Sequence, residues 1–470
     1  MLQVLTKQIS NQELNLLAYF KLQAMSMENL ALFTDLYELT MGQSYFESWN
    51  AKATFELFVR KLPPNRGYLI AAGLEDVCNY LLNFRFKEED LEFLRKKGFK
   101  EEFLEFLRGI RFTGDVWALP EGELVFQNEP IIRITAPIIE AQIFETFIIN
   151  TVNFQTLIAT KASRVVNSAR GRPVIDFGSR RAHGIDAGIK AARASYIGGC
   201  IGTSNVLAGK LYGIPIFGTM AHSYIEAFPS EKEAFRAWIK SWGVDTVLLV
   251  DTYDTLRGVR NAIEVVEGLT GRKELKGVRM DSGDMVKLSK EARRILNEAG
   301  FVSTKIFVSG GLDEYVIDDY LNKGAEMDVF GVGSSLVTSD DAPKIDIVYK
   351  LVESEERGRL VPRMKIAENE KITLPGAKQV FRIEENGKYV KDIIGLSTEH
   401  LKGEKKLVRI FENGELVYRL PSLDEIREKA QTELSKLPEE YKKIRNPATY
   451  PVEISEELIK LTEKIKRSIV

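Results

Sequence analysis

The chain has 470 residues, 44% hydrophobic and 28% charged, with a formal net charge of −2. That length exceeds one ordinary compact domain and implies two or three folding units around a sizeable core. The near-neutral charge excludes a global attraction to nucleic acid or an anionic membrane, so any phosphate binding must be local.

Two cysteines, Cys78 and Cys200, are too few for a disulfide framework or a four-cysteine zinc site. They fit a reducing compartment, and no apolar stretch approaches the roughly 20 residues of a membrane span, so a cytoplasmic protein is expected. Residues 1–27 lack the basic start and apolar core of a signal peptide and read as an N-terminal extension.

From 28 to 136 the periodicity predicts a mixed α+β region. Asp35 to Tyr45, Gly67 to Leu82 and Glu89 to Arg108 read as helices. Ala53 to Arg60, Asp115 to Ala118, Leu124 to Gln127 and Ile131 to Ile134 read as strands. After Pro137 comes one strongly apolar helix over 138–169. Short β-branched runs then alternate with helical stretches: PVIDFG, GGCIG, IPIFGT, DTVLLVD, GVRMDSG, KIFVSGG and MDVFGVG. Sustained alternation at near the roughly 30 residues of a βαβ unit predicts a parallel sheet, and the strand count favours a β/α barrel over 137–344. Beyond it, Asn386-Gly387 and Asn413-Gly414 predict hairpins, and 423–470 reads as charged amphipathic helix. Segments 28–136 and 345–470 are expected to pack together as one α+β domain.

In a β/α barrel the loops after the strands form the active face. Here they carry Gly178-Ser179-Arg180, Thr219-Met220-Ala221-His222-Ser223, Asp251, Arg279-Met280-Asp281-Ser282-Gly283-Asp284, Ser309-Gly310-Gly311 and Gly331-Val332-Gly333-Ser334. Gly/Ser-rich turns after late strands suit a phosphate cradled by backbone N–H groups. Arg180 and Arg279 offer planar donors to phosphate or carboxylate. Asp251, Asp281 and Asp284 suit either Mg²⁺ or ribose hydroxyls, and Asp284 equally suits a helix cap. Two of the three histidines, His183 and His222, fall in these loops. Chemistry alone leaves His222 open between general base, ligand and nucleophile.

In order, Leu32-Phe33-Thr34-Asp35-Leu36-Tyr37-Glu38-Leu39-Thr40-Met41, FGSRRAHG, GTMAHS, RMDSGD, VSGGLDE, FGVGSSLVTS and Asn446-Pro447-Ala448-Thr449-Tyr450-Pro451-Val452 resemble the motifs of the nicotinate phosphoribosyltransferase family over nearly the whole chain. The resemblance implies an irregular β/α barrel of the type II phosphoribosyltransferase kind. It also implies coupling of nicotinate to 5-phosphoribosyl 1-pyrophosphate, giving nicotinate mononucleotide and pyrophosphate, with ATP hydrolysed alongside. A homodimer is implied, the N-terminal motif of one subunit completing the other's site.

Carried over residue by residue, His222 is the histidine phosphorylated by ATP, and Phe177 and the partner-derived Tyr37 sandwich the pyridine ring. Arg180 and Arg279 meet the nicotinate carboxylate or substrate phosphates, with Ser223 beside His222. Asp251 and Asp281 serve ribose or Mg²⁺, and Gly310, Gly311, Gly331, Gly333 and Ser334 serve the 5-phosphate. Relatives that use nicotinamide carry aspartate where this chain has Ser204, a hydroxyl able to donate to a carboxylate, so Ser204 favours nicotinate. No cysteine stands in the C-terminal region, so no zinc is expected. The competing expectations are nicotinamide phosphoribosyltransferase and a catalytically silent pyridine-nucleotide sensor.

Overall fold

The computed structural model describes residues 30–366 and 373–469; the expected extension at 1–27 lies outside the described residues. Two main sheets organise the chain. The first is seven-stranded and antiparallel, ordered Arg359–Pro362, Ile347–Glu356, Lys52–Val59, Pro130–Pro137, Asp115–Ala118, Val408–Glu412, Glu415–Leu416. Strands from both ends of the chain therefore share one ladder, with Lys52–Val59 paired to Ile347–Glu356 along most of its length. An aromatic core of Phe84, Phe103, Phe112, Phe144 and Phe147 fills its helical side.

The second sheet is parallel throughout and six-stranded, ordered Gly202–Thr203, Val174–Asp176, Val329–Val332, Lys305–Val308, Gly277–Met280, Val247–Leu249. The first strand in sequence pairs with the last, and the others follow in chain order around them. One parallel bridge, Thr203 to Ile216, extends the Gly202–Thr203 edge. Among the described residues, no pairing joins Ile216 to the Val247–Leu249 edge. The fold is thus mixed α/β with a parallel sheet, and the run IPIFGT contributes a single bridge where a strand is expected.

Local chemistry explains where elements differ from their expected bounds. The helix expected from Gly67 begins at Leu74 (Leu74–Asn83) because Leu69–Ile70 pairs with Leu124–Val125 instead. The Ile70 and Ala72 N–H groups donate to Thr160 and Thr156 hydroxyls. Gly98, at φ 93°, splits the second expected helix into Glu88–Lys96 and Glu101–Gly109. The apolar helix is also two, Ile138–Ile143 and Glu145–Ser168, meeting at Phe144. At the C-terminus, Leu437-Pro438 and then the Val452–Ile454 strand, which pairs parallel with Lys388–Leu396, divide the helix expected there into Leu423–Lys436, Glu439–Lys442 and Glu456–Ile469. Both Asn-Gly hairpins form with positive φ at both turn residues.

Candidate active site

All six strands of the parallel sheet run the same way, so the loops after them gather at one edge, where α/β proteins bind ligands. Phe177 and Gly178 follow the Val174–Asp176 strand. The buried Asp176 organises this corner: one oxygen accepts from Gly178 N at 2.8 Å, the other from Thr203 Oγ1 at 2.7 Å. Burial pushes its carboxyl above the usual range, against the pull of those two donors. Thr203 Oγ1 then accepts from Asn205 N, and Asn205 Nδ2 donates to Ser179 Oγ at 2.9 Å. Two consecutive loops are thereby fixed to one carboxylate. Ser204 N donates to Asp176 O at 2.8 Å, holding the half-buried Ser204 in that corner.

His222 opens the short helix His222–Glu226, and its Nδ1 lies 3.1 Å from Thr252 Oγ1. Ser223 beside it is exposed. Thr219 in the same loop accepts a hydrogen bond from Arg279 Nη1. Asp251 is 9% exposed; its Oδ2 accepts from Asp281 N at 2.7 Å and from Ser282 Oγ at 2.8 Å. Asp281 in turn accepts from Ser309 Oγ. Gly310, at φ 85°, packs so tightly that a Cβ there would lie 2.1 Å from Asp281 O. Four successive loops are therefore locked into one surface. Asp284 stands apart as a cap, accepting from Lys287 N at 3.1 Å at the start of the Met285–Glu298 helix.

Two buried polar atoms in this surface have no hydrogen-bond partner among the described residues: Arg279 Nε and Asp251 Oδ1. Such orphans are rare in folded proteins and call for a ligand or ion. Burial lowers the Arg279 guanidinium from its ordinary range, Asp281 and Asp251 oppose this, and the positive charge of Arg180 adds to it. Two cations near one another, one exposed and one part-buried, form a site that an anion relieves. The free oxygens of Asp251 and Asp281 also fit Mg²⁺ held partly by substrate oxygens. Among the described residues no cluster of three or more His, Cys, Asp or Glu could hold a metal.

Phe177 N donates to Val332 O at 2.8 Å, bringing its half-buried ring beside the Val329–Val332 strand, over Gly331. Gly333 and Ser334 follow, with Ser334 exposed at the start of the Ser334–Thr338 helix. Gly311, at φ 62°, leaves open space around its Cα. Tyr37 belongs to the other layer. It lies on the Leu36–Ser48 helix, 46% exposed, its hydroxyl beside Glu145, with Glu38 and Asp35 nearby. Burial first, then these carboxylates, raises its pKa.

Sequence reasoning gave no role to Asp176, Thr203, Thr219, Thr252 or Ser309, although Thr219 and Ser309 stand in the loops it singled out. An acid inside the β-branched run Val174-Ile175-Asp176 was the available signal for the first; the hydroxyls are unremarkable in sequence.

Among the described residues, no helix is long and apolar enough to cross a membrane. Family models for the nicotinate phosphoribosyltransferase N-terminal domain, family and C-terminal domain match residues 32–153, 173–371 and 399–462. The chain is 49% identical over 433 residues to nicotinate phosphoribosyltransferase pncB2 of Mycobacterium tuberculosis, covering 91% of this chain and 92% of that one. It is 44% identical over 460 residues to nicotinate phosphoribosyltransferase of Bacillus subtilis, covering 92% and 94%. Among solved structures it is similar to human nicotinic acid phosphoribosyltransferase, with a TM-score of 0.81 and 30% identity, covering 92% of this chain and 99% of that one. The chain belongs to the nicotinate phosphoribosyltransferase family.

Proposed function

We propose that the protein joins nicotinate to 5-phosphoribosyl 1-pyrophosphate, forming nicotinate mononucleotide and pyrophosphate, with ATP hydrolysed to ADP and phosphate alongside. The observation that carries this is the pair of buried orphans, a cationic Arg279 Nε and an anionic Asp251 Oδ1, on one surface with His222. An anionic base and a sugar phosphate together supply what both atoms lack.

Bond making at the anomeric carbon develops positive charge on the ribose and negative charge on the departing pyrophosphate. The protein's work is therefore positioning and electrostatic stabilisation. Arg180 and Arg279 receive the nicotinate carboxylate or substrate phosphates, and Ser204 donates towards the carboxylate. Phe177 forms one face of the base site. Gly310, Gly311, Gly331, Gly333 and Ser334 belong to the 5-phosphate site, and Ser223 contacts substrate next to His222. Asp251 and Asp281 would hold Mg²⁺, which would supply positive charge against the substrate phosphates; the same carboxylates otherwise hold ribose hydroxyls.

His222 attacks the γ-phosphoryl group of ATP through Nε2; the bridging P–O bond to the β-phosphate breaks, ADP leaves, and water later cleaves the phosphohistidine N–P bond to release phosphate. The tautomer this requires carries its proton on Nδ1, where Thr252 Oγ1 accepts it. Phosphohistidine then places negative charge near the pyrophosphate and links ATP hydrolysis to the product equilibrium.

We infer an irregular barrel with its seam between Ile216 and the Val247–Leu249 strand; the pairing of the first strand of the sheet with the last, the others following in chain order, supports this. We infer a cytoplasmic homodimer in which Tyr37 of one subunit covers the base bound by the other. The exposure of Phe33, Leu36 and Tyr37 on one short stretch supports this. Product analysis by chromatography tests the reaction: nicotinate gives a mononucleotide and nicotinamide does not. Absence of product from nicotinate would overturn it.

A further inference from the structure

Behind the two glycine loops lies a buried ionic cluster that the chemistry above does not use. Lys161, in the middle of the Glu145–Ser168 helix, has a fully buried side chain. Its Nζ lies 2.5 Å from Glu314 Oε2 and 2.7 Å from Asp341 Oδ1. Glu314 is also held by Arg164 Nε at 2.9 Å, and Asp341 by both Arg66 Nη atoms at 2.9 Å. Burial alone would raise the Asp341 carboxyl; Arg66 and Lys161 overcome this and hold it below the usual carboxylate range. Asp340 Oδ1 also lies 3.9 Å from Lys161 Nζ, so three cations face three carboxylates and the group is balanced.

Buried ions are poor sources of net stability, since well-packed apolar groups often serve as well. What they enforce is geometry, and the positions of the two acids say which. Glu314 begins the Glu314–Asn322 helix, three residues after Gly311. Asp341 lies three residues beyond the Ser334–Thr338 helix, which follows Gly333. Ser335 Oγ donates to Leu312 O, joining the two loops directly. Lys161 contacts both of the acids that anchor these loops, and Tyr315, on the Glu314–Asn322 helix, adds a weaker tie by donating to Asp341 Oδ2 at 3.3 Å.

We propose that Lys161 is a positioning residue for phosphate recognition, setting the distance between the Gly310-Gly311 and Gly333-Ser334 loops. This rests on the assignment of those loops to the 5-phosphate. It extends that assignment to a side chain buried beneath them and to the helix that carries it.

The test compares wild type, Lys161→Met and Gly310→Ala, with KM for phosphoribosyl pyrophosphate, KM for nicotinate and kcat as readouts. The shift in melting temperature on adding inorganic phosphate is measured in parallel. Lys161→Met should raise KM for phosphoribosyl pyrophosphate about tenfold or more, leave KM for nicotinate within about twofold, and abolish the phosphate-induced shift. A general loosening of the fold would instead move both KM values together, and that result overturns the proposal. So does an unchanged Lys161→Met enzyme. In Gly310→Ala the new Cβ collides with Asp281 O, displacing the loop itself. If Gly310→Ala weakens phosphate recognition and Lys161→Met does not, only the role of Lys161 fails. If Gly310→Ala also leaves it unchanged, the assignment of the loops fails, and the proposal with it. Should Lys161→Met not fold, Asp341→Asn removes the anchor on the Ser334 side and must give the same split between the two KM values.

Discussion

The ring of Phe177 lies against the Cα of Gly331: a Cβ at position 331 would come within 2.4 Å of ring atom Cδ2. Gly331 pairs with Ile175 in the neighbouring strand, so neither backbone can easily yield and the ring must move. Gly331→Ala should therefore displace Phe177. We expect KM for nicotinate to rise about tenfold while KM for phosphoribosyl pyrophosphate changes less than about threefold. Steady-state kinetics with each substrate varied in turn would check this, and equal effects on both would assign the contact to packing alone.

Thr252 is the hydrogen-bond partner of His222 Nδ1 at 3.1 Å. Thr252→Val keeps the shape and removes the acceptor. The ATP-stimulated rate should fall about ten- to hundredfold, by analogy with groups that fix a histidine tautomer elsewhere, while the rate without ATP stays near wild type. Labelling with γ-phosphoryl-labelled ATP would show less acid-labile phosphoprotein in the variant. Undiminished labelling would remove Thr252 from the phosphorylation step.

These sites were unevenly legible in sequence. The loops that carry Phe177, Asp251, Asp281 and Gly310 could be read because β-branched runs ending in Gly, Asp or Ser mark parallel strand ends. The Asn-Gly turns marked the hairpins for an equally local reason, since asparagine and glycine tolerate positive φ. Asp176 was harder to read: an acid inside Val-Ile-Asp is its local mark, but its meaning depends on Thr203, 27 residues away. The break at Phe144 was hidden because buried residues continue on both sides of it, Gln142 and Ile143 before and Glu145 after. Periodicity reports burial, and the loop hydroxyls at 219, 252 and 309 have none to report.

The acidic corner around Tyr37 makes stability depend on pH. Burial pushes the Glu38 carboxyl up to about 7 from 4.5, although Thr34 and Thr146 donate to it and pull the other way. Between those two values the folded protein holds a proton that the unfolded chain has released, so stability falls as pH rises through the window. Glu38→Gln keeps the packing and carries no charge. From about pH 5 to about pH 8 the wild type should lose about 2 kcal/mol relative to the variant, after allowance for solvent screening. Urea unfolding of both proteins at each end of the range measures the difference; a wild type that gains stability on the variant would contradict it.

Ser204 sits in the corner organised by Asp176. Ser204→Asp would put a second negative charge where a carboxylate substrate is expected. KM for nicotinate should rise about tenfold or more through like-charge repulsion, while nicotinamide, which has no charge to repel, gains relative to it. Competition between the two bases for one enzyme sample reads the ratio directly. An unchanged ratio would detach Ser204 from base selection.

The most direct test of the account is mononucleotide formation from nicotinate and phosphoribosyl pyrophosphate, with and without ATP, by wild type and His222→Ala. Wild type should form nicotinate mononucleotide and be stimulated by ATP, and His222→Ala should form it more slowly with no response to ATP. A His222→Ala enzyme still stimulated by ATP would contradict this.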